Sequence, residues 1–169
     1  MSLTDAILQE LDQESATTRR VLERVPEDRL AWKPHPKSMS LGVLALHLAA
    51  APGMISEWAL VDSLEFPGGQ PPPQPASSAE ILAAHDESVQ KVKSAISRIG
   101  DDGLRQKWQA TKEGVAILKM PKAALVRGIV LNHAYHHRGQ LSVYLRLLDV
   151  PVPSIYGPSA DENPFAASA

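Results

Sequence analysis

Two histidines set four residues apart, His133 and His137, are the first residues of this sequence that could do chemistry. They lie in a segment, residues 132–148, whose apolar side chains repeat with the period of an α-helix. Residues four apart lie one above the other, so both imidazoles project from one helix face. Apolar residues continue that face, which indicates that it points into a core. Inward histidines are either hydrogen-bonded core residues or metal ligands, and their spacing is compatible with both.

A third inward histidine, His47, lies on the apolar face of a second helix, predicted for residues 40–64. Pro52 follows it shortly and predicts a kink in that helix just after His47. Neutral imidazole is a good ligand for zinc, nickel, copper or iron. Three protein ligands leave positions open for water or substrate, as in catalytic zinc sites. We therefore expect a divalent metal centre at the three inward histidines, with satisfied core histidines as the alternative.

The remaining histidines are weaker candidates for chemistry. His35 stands between two prolines and is expected to be a loop residue. His85 falls near the inward side of a third helix, where a surface position is favoured over a supporting role at the metal. His136 lies about 100° around the helix from His137 and is expected on a flank, at a subunit contact, or in a hydrogen bond.

Several polar residues accompany the histidine face. Gln140 lies on it and is a candidate catalytic residue that hydrogen-bonds a group at the metal; a buried amide that ties helices together is the alternative. Arg138 lies off that face and is expected to pair with Asp161 or Glu162 if the C-terminal tail folds back. Glu57 is favoured as a solvated residue rather than a pocket residue.

Two glycines within the fourth helix, Gly128 and Gly139, indicate close packing against it, because glycine costs about 1 kcal/mol relative to alanine there. A helix–helix contact is favoured for Gly128. For Gly139 a helix, a subunit or a ligand remain open. Tyr144, on the histidine face, is expected in the core.

The whole chain reads as four amphipathic helices in one domain, residues 1–169, which predicts an all-α four-helix bundle. A Pro-rich connector, residues 65–77, separates the second helix from the third. Residues 101–120 are less regular and are expected to form a short hairpin or a loop packed over the bundle end. Residues 149–169 form an irregular tail. The predicted helices cover residues 2–25, with Thr4 as a possible cap, and residues 40–64, 78–99 and 121–148.

Composition excludes several classes of protein. The chain has no cysteine, so neither disulfides nor thiolate metal sites are possible. Its formal net charge is −2 and no basic patch stands out, which argues against nucleic acid as a partner. No signal peptide and no long membrane-spanning run is evident. A cytoplasmic location is the expectation.

Two segments carry a family resemblance. Residues 34–49 read P-H-P-K-S-M-S-L-G-V-L-A-L-H-L-A, and residues 132–162 include H-H-R-G-Q-L and end in Y-G-P-S-A-D-E. In these motifs the chain resembles the DinB-like family of metal-dependent helical proteins, over nearly its whole length. The resemblance implies a four-helix bundle with up-down-down-up topology and a three-histidine site at His47, His133 and His137. It also implies bound nickel or zinc and a homodimer.

The activity implied by the resemblance is broad. Relatives include thiol-dependent transferases and isomerases that use low-molecular-weight thiols. We therefore expect a metal-dependent enzyme that activates water or such a thiol, for hydrolysis or thiol transfer to a small molecule. The alternative is a non-catalytic metal-binding stress-response protein. Di-iron sites of helical bundles require Glu-x-x-His pairs, and none precedes His133 or His137.

Overall fold

The computed structural model describes residues 1–66, 68 and 73–166, and within these it shows four long helices and a small three-stranded sheet. The prediction of an all-α protein is therefore wrong. Most of the Pro-rich connector, at residue 67 and residues 69–72, and the end of the tail, residues 167–169, lie outside the described residues. The helices are α1 (Leu3–Leu22), α2 (Leu41–Trp58), α3 (Ser78–Arg105) and α4, which runs through Lys122–Leu125, a π-helical segment Val126–Leu131, and Asn132–Leu147. The strands are β1 (Ser63–Glu65), β2 (Lys107–Lys112) and β3 (Val115–Pro121).

The sheet has the order β1-β2-β3, with β1 parallel to β2 and β2 antiparallel to β3. The hairpin between β2 and β3 turns at Glu113 and Gly114, which both have positive φ, as a two-residue hairpin of this twist requires. Strand β1 falls in a stretch predicted as the end of the second helix. The pairing of β1 with β2 joins residues that are far apart in the sequence. Local periodicity therefore does not predict this pairing.

Helices α2 and α3 run in the same direction, as two close contacts show. Near the start of α2, a side chain added at Gly42 would lie 2.9 Å from Pro75. Further along, one added at Gly53 would lie 2.8 Å from the Cα atom of Ser88. The Gly53 N–H, next to the helix-interrupting Pro52, donates to the Ser88 hydroxyl at 2.7 Å. Helix α2 continues across Pro52 from Leu41 to Trp58, so the predicted kink does not interrupt it.

Helix α1 runs opposite to α3 and alongside α4. Thr4 near the start of α1 contacts Asp101 near the end of α3, whereas Ser78 at the start of α3 donates to the Val25 carbonyl just beyond α1. Two acids of α1 meet two arginines of α4 in the same chain order: Glu10 pairs with Arg127, and Glu14 with Arg138. The four helices therefore run up, down, down and up.

The start of α1 is held by two carboxylates. Ser2, rather than the predicted Thr4, is the N-cap, and it forms a reciprocal capping box with Asp5. Asp101 follows Gly100, whose positive φ interrupts the helical backbone of α3. Its carboxylate accepts from the Thr4 N–H at 2.9 Å and from the Thr4 hydroxyl at 2.6 Å. These hydrogen bonds lower the pKa of Asp101 to about 2.

Replacing Asp101 with asparagine is expected to lower thermal stability at neutral pH, because the charge at the start of α1 is lost. The pKa of Asp101 in the folded protein is about 2, below its ordinary 3.8. Its contribution is thus complete above about pH 4 and is lost as the pH falls through about 2. The difference in Tm between wild type and variant should shrink over that interval in thermal unfolding. Asp102→Asn, at the exposed neighbouring residue, is the control, and a difference that persists at pH 2 would contradict the assignment.

The core lies along the bundle in two clusters of buried apolar side chains. One includes Trp108 and Ala110 of β2, so the sheet closes that end of the bundle. The other includes Val152 of the tail, which covers the opposite end. Helix α2 is long and apolar enough to cross a membrane by composition alone, but 61% of that stretch is buried inside the protein. Its apolar character is therefore explained by its place in the core.

Candidate metal centre

The three inward histidines converge between α2 and α4. His133 and His137 face each other with their Nε2 atoms 2.9 Å apart. His47 reaches them from α2, and its ring centroid lies 5.1 Å from that of His133 and 4.6 Å from that of His137. One ring nitrogen of each residue lies within 4.8 Å of those of the other two. His47 and His133 are half-buried and His137 is buried, so the cluster is reachable from solvent on one side.

Gln140 fixes the tautomer of His137. Its side-chain oxygen lies 2.8 Å from the Nδ1 atom of His137, and because an amide oxygen can only accept, Nδ1 carries the proton. The lone pair of neutral His137 is therefore on Nε2, the atom that faces His133. Metal-bound histidines usually donate their other N–H to such an oxygen, which orients the ring and raises its basicity. Gln140 thus contacts a candidate ligand.

All three imidazoles are held in the neutral form. Burial is the largest cause in each case, and it lowers the pKa of His133 and His137 below the ordinary 6.5. For His47, burial and the two neighbouring imidazoles lower the pKa to about 4. Neutral imidazole is the form that binds metal ions. The site is therefore ready to bind a cation at neutral pH without first releasing protons.

The donor set fits a borderline divalent ion. Two nitrogens that share one ion at about 2.0–2.1 Å can be no more than about 4 Å apart, and the Nε2 atoms of His133 and His137 meet that limit at 2.9 Å. Without a cation, only one of these two facing nitrogens can carry a proton. Among the described residues, the cluster contains no carboxylate. Three imidazoles and no acid suit zinc, nickel, copper or iron better than magnesium or calcium.

Replacing Gln140 with leucine is expected to weaken metal binding about 10- to 100-fold, as loss of an outer hydrogen-bond partner typically does. Gln140→Glu keeps an acceptor for the His137 N–H and should retain the affinity. Competition with a chromophoric chelator measures both. Gln90→Leu, at an exposed position of α3, is the matched control. Equal affinities for Gln140→Leu and wild type would show that the hydrogen bond does not support the site.

Arg138 does not pair with Asp161 or Glu162, so that prediction is wrong. Its side chain is 1% exposed and points into the protein, where it donates to the Glu14 carboxylate at 2.6 Å and the Thr18 hydroxyl at 3.1 Å. Tyr156 of the tail contacts the same guanidinium through its hydroxyl and its ring. The tail does fold back, but through other arginines: Arg146 binds Asp161, and Arg20 binds Glu162.

The other three histidines are not members of the metal cluster, although His136 adjoins it. His85 is buried, contrary to the surface position favoured for it, and its Nε2 lies 3.1 Å from the Ser15 carbonyl. It lines a cavity of about 30 Å³ between the helices. His35 is an exposed loop residue, as predicted. His136 is exposed, with its ring 5.0 Å from that of His137.

The structure also tests the predictions made for the two glycines of α4, for Glu57 and for Tyr144. Nothing in the described chain lies within 4 Å of a side chain added at Gly128 or Gly139, so the helix–helix contact predicted for Gly128 is wrong. Glu57 is exposed, which is the solvated position favoured for it. Tyr144 is half-buried against Trp32, at 5.7 Å between ring centroids.

Two features around the site were missed from the sequence. The π-helical segment ends at Leu131, two residues before His133. Such segments are frequent at functional sites. Glu14 and Ser15 interrupt the apolar stripe of α1 and mark where Arg138 and His85 make their polar contacts. That interruption was the available signal for a buried polar contact.

Comparison with known proteins agrees with this architecture. The chain is 26% identical over 160 residues to the uncharacterized protein YrdA of Bacillus subtilis (strain 168), covering 94% of this chain and 90% of that protein. A DinB-like protein from Bacillus cereus ATCC 10987 has a similar structure, with a TM-score of 0.69, 24% identity, and coverage of 90% of this chain and 97% of that one. The DinB-like protein YjoA of Bacillus subtilis gives a TM-score of 0.66 and 18% identity, over 86% of this chain and 95% of the other. The sequence profile of the DinB family matches residues 1–164, and this chain therefore belongs to the DinB family.

Proposed function

We propose that this protein is a metal-dependent enzyme whose three-histidine centre activates water or a low-molecular-weight thiol for hydrolysis or thiol transfer. The observation that carries the proposal is the convergence of neutral His47, His133 and His137 at a half-buried position. A divalent ion held by these three histidines would supply Lewis acidity, which would lower the pKa of a bound water or thiol toward neutrality. The chain's own part is to hold three neutral donors and keep one side accessible to a small molecule.

The charges around the centre support an anionic partner. Three neutral imidazoles leave the full charge of a divalent ion uncompensated, because no carboxylate of the described chain joins the cluster. A hydroxide or thiolate restores the balance better than a neutral ligand does. Among the described residues, no carboxylate joins the cluster to act as a general base, and Glu57 of α2 is exposed. Gln140, exposed beside His137, stays a candidate for contact with the substrate.

A non-catalytic metal-binding protein is the second candidate. Structural metal sites are closed, with a complete set of protein ligands, whereas catalytic sites keep an open position. In the described part of the chain the cluster has three ligands, and two of them are half-buried. This arrangement favours an open position and therefore catalysis.

The test begins with elemental analysis of the purified protein, in which we expect nickel or zinc. The loaded protein is then assayed with low-molecular-weight thiols against a panel of electrophiles and hydrolysable esters and amides. The same assays on His133→Ala separate metal-dependent turnover from background. Stoichiometric metal without turnover on any substrate would favour the non-catalytic alternative, and absence of metal binding would overturn both.

We also propose that the protein forms a homodimer through the exposed face of α4. Val143 and Leu147 are 57% and 58% exposed on that face, and Gly139 lies one turn before Val143 without a neighbour in the described chain. Apolar side chains beside an uncovered glycine suit close packing of a second helix. Light scattering should give twice the chain mass for wild type and a lower mass for Val143→Glu. A monomeric wild type would refute the dimer.

A further inference from the structure

A cleft of about 590 Å³ lies on the sheet, away from the three histidines. Its volume is within the range of small-molecule sites in proteins. The sheet leads into α4 at Lys122, and His133 follows eleven residues later, on the order of 15 Å along the helix. The cleft is thus separate from the candidate metal centre. It is lined by Asp62, Ser63, Lys107, Trp108, Gln109, Lys119, Met120 and Pro121.

The outer face of the sheet supplies the walls of this cleft. Ser63, Gln109 and Lys119 are paired across the three strands in one row, and Lys107 and Pro121 form the next row on the same face. The Gln109 amide donates to the Ser63 hydroxyl at 3.2 Å, so that hydroxyl is free to donate its own hydrogen. Because side chains alternate between the two faces of a strand, those of Trp108 and Met120 point into the core. These two residues line the cleft with their backbone atoms.

The charges of this face are uncompensated. Within the described residues, neither Lys107 nor Lys119 has a carboxylate within 4.0 Å, although the chain as a whole carries a net charge of −2. Asp62 is already neutralised, because it binds Lys122, a buried lysine, at 2.8 Å. The two free lysines are diagonal neighbours on the sheet, where side chains about 7–8 Å apart interact. Two like charges at such positions repel each other weakly, and an anion between them would offset that repulsion.

We propose that this cleft binds a small molecule with a dianionic oxyanion head, of the phosphate monoester class. Lys107 and Lys119 neutralise its two charges, and the Ser63 hydroxyl donates to one of its oxygens. The cleft is larger than inorganic phosphate, so the organic part of the molecule lies against Pro121. Because both lysines are exposed, binding is screened by salt and weakens as the ionic strength rises.

Titration of the metal-loaded, isotope-labelled protein with phenyl phosphate, followed by amide NMR shifts, tests the proposal. We expect saturable shifts at Ser63, Lys107, Gln109 and Lys119, and none there with the neutral probe phenol. The double variant Lys107→Gln/Lys119→Gln should bind roughly tenfold more weakly, since each exposed ion pair contributes little alone. Lys33→Gln/Lys37→Gln carries the same change of charge at exposed positions between α1 and α2 and should bind as wild type.

Three outcomes would overturn the site. Shifts confined to residues around His133 would show that the phosphate binds at the metal centre instead. Equal weakening in the two double variants would show that only net charge matters. Identical shifts with phenol would show an apolar surface without anion recognition. Thermal unfolding of both double variants confirms that each is folded before its affinity is compared.

Discussion

Replacing His133 with alanine is expected to remove most of the bound metal without unfolding the protein. Loss of an outer hydrogen-bond partner alone typically costs 10- to 100-fold in metal affinity, and loss of a ligand should exceed about 100-fold. The fold should survive because His133 is half-buried and its ring packs against the other site histidines. Elemental analysis gives the metal content, and thermal unfolding in a chelator compares the two metal-free proteins.

His35→Ala is the matched control for this change. It removes an imidazole from an exposed loop, so it should leave the metal content unchanged. His47→Ala should behave like His133→Ala, because it removes the ligand from the opposite helix. Full metal occupancy in His133→Ala would refute the assignment of this centre, whatever the other variants show.

The site histidines could be placed from the sequence because helical periodicity alone decides which face a residue occupies. His47, and the pair His133 and His137, lie on apolar stripes that two helices must turn toward each other in a bundle. When these two helices pack, the three imidazole rings therefore lie in the same interface. The local pattern, together with the family resemblance, was therefore sufficient to predict that these three histidines meet as candidate ligands, although not to identify their hydrogen-bond partners.

A hairpin was one of the two forms expected for residues 101–120, and β2 and β3 form one there, but strand β1 could not be placed in the same way. Strand β1 is three residues long, and it pairs with β2 only because the ends of α2 and α3 lie close together. Strand β3 is apolar but largely exposed, so its composition does not reveal its position in the fold. The hairpin turn uses Glu113 and Gly114, a weaker signal than Asn-Gly or Asp-Gly. Such pairing depends on tertiary structure, which periodicity does not describe.

The partner of Arg138 shows the same limit for polar contacts. From the sequence alone, the acids of the tail and the acids of α1 are equally good partners for Arg138, because helical periodicity does not tell which acid an arginine will contact. The structure selects Glu14, because α1 and α4 run side by side in the same direction. The guanidinium also lies over the rings of Tyr135 and Tyr156, with Cζ at 5.2 Å and 5.0 Å from the ring centroids.

Arg138→Met is expected to destabilise the protein by about 3–5 kcal/mol, because breaking a buried ion pair leaves the partner carboxylate uncompensated. The Arg138 side chain is 1% exposed and that of Glu14 is 19% exposed. Thr18 and the Glu14 carbonyl would lose their donor as well. For a chain of this size the loss corresponds to a fall in Tm of about 6–20 °C. Urea and thermal unfolding measure it.

Arg146→Met is the matched control, since it removes an arginine from the same helix that also binds a carboxylate. The Arg146–Asp161 pair is exposed, and exposed ion pairs contribute little to stability. The contrast separates burial from charge: if only the number of ion pairs mattered, the two variants would be destabilised alike. Equal losses would contradict the role of Arg138, and a larger loss in Arg146→Met would show that α4 is anchored through the tail rather than through α1.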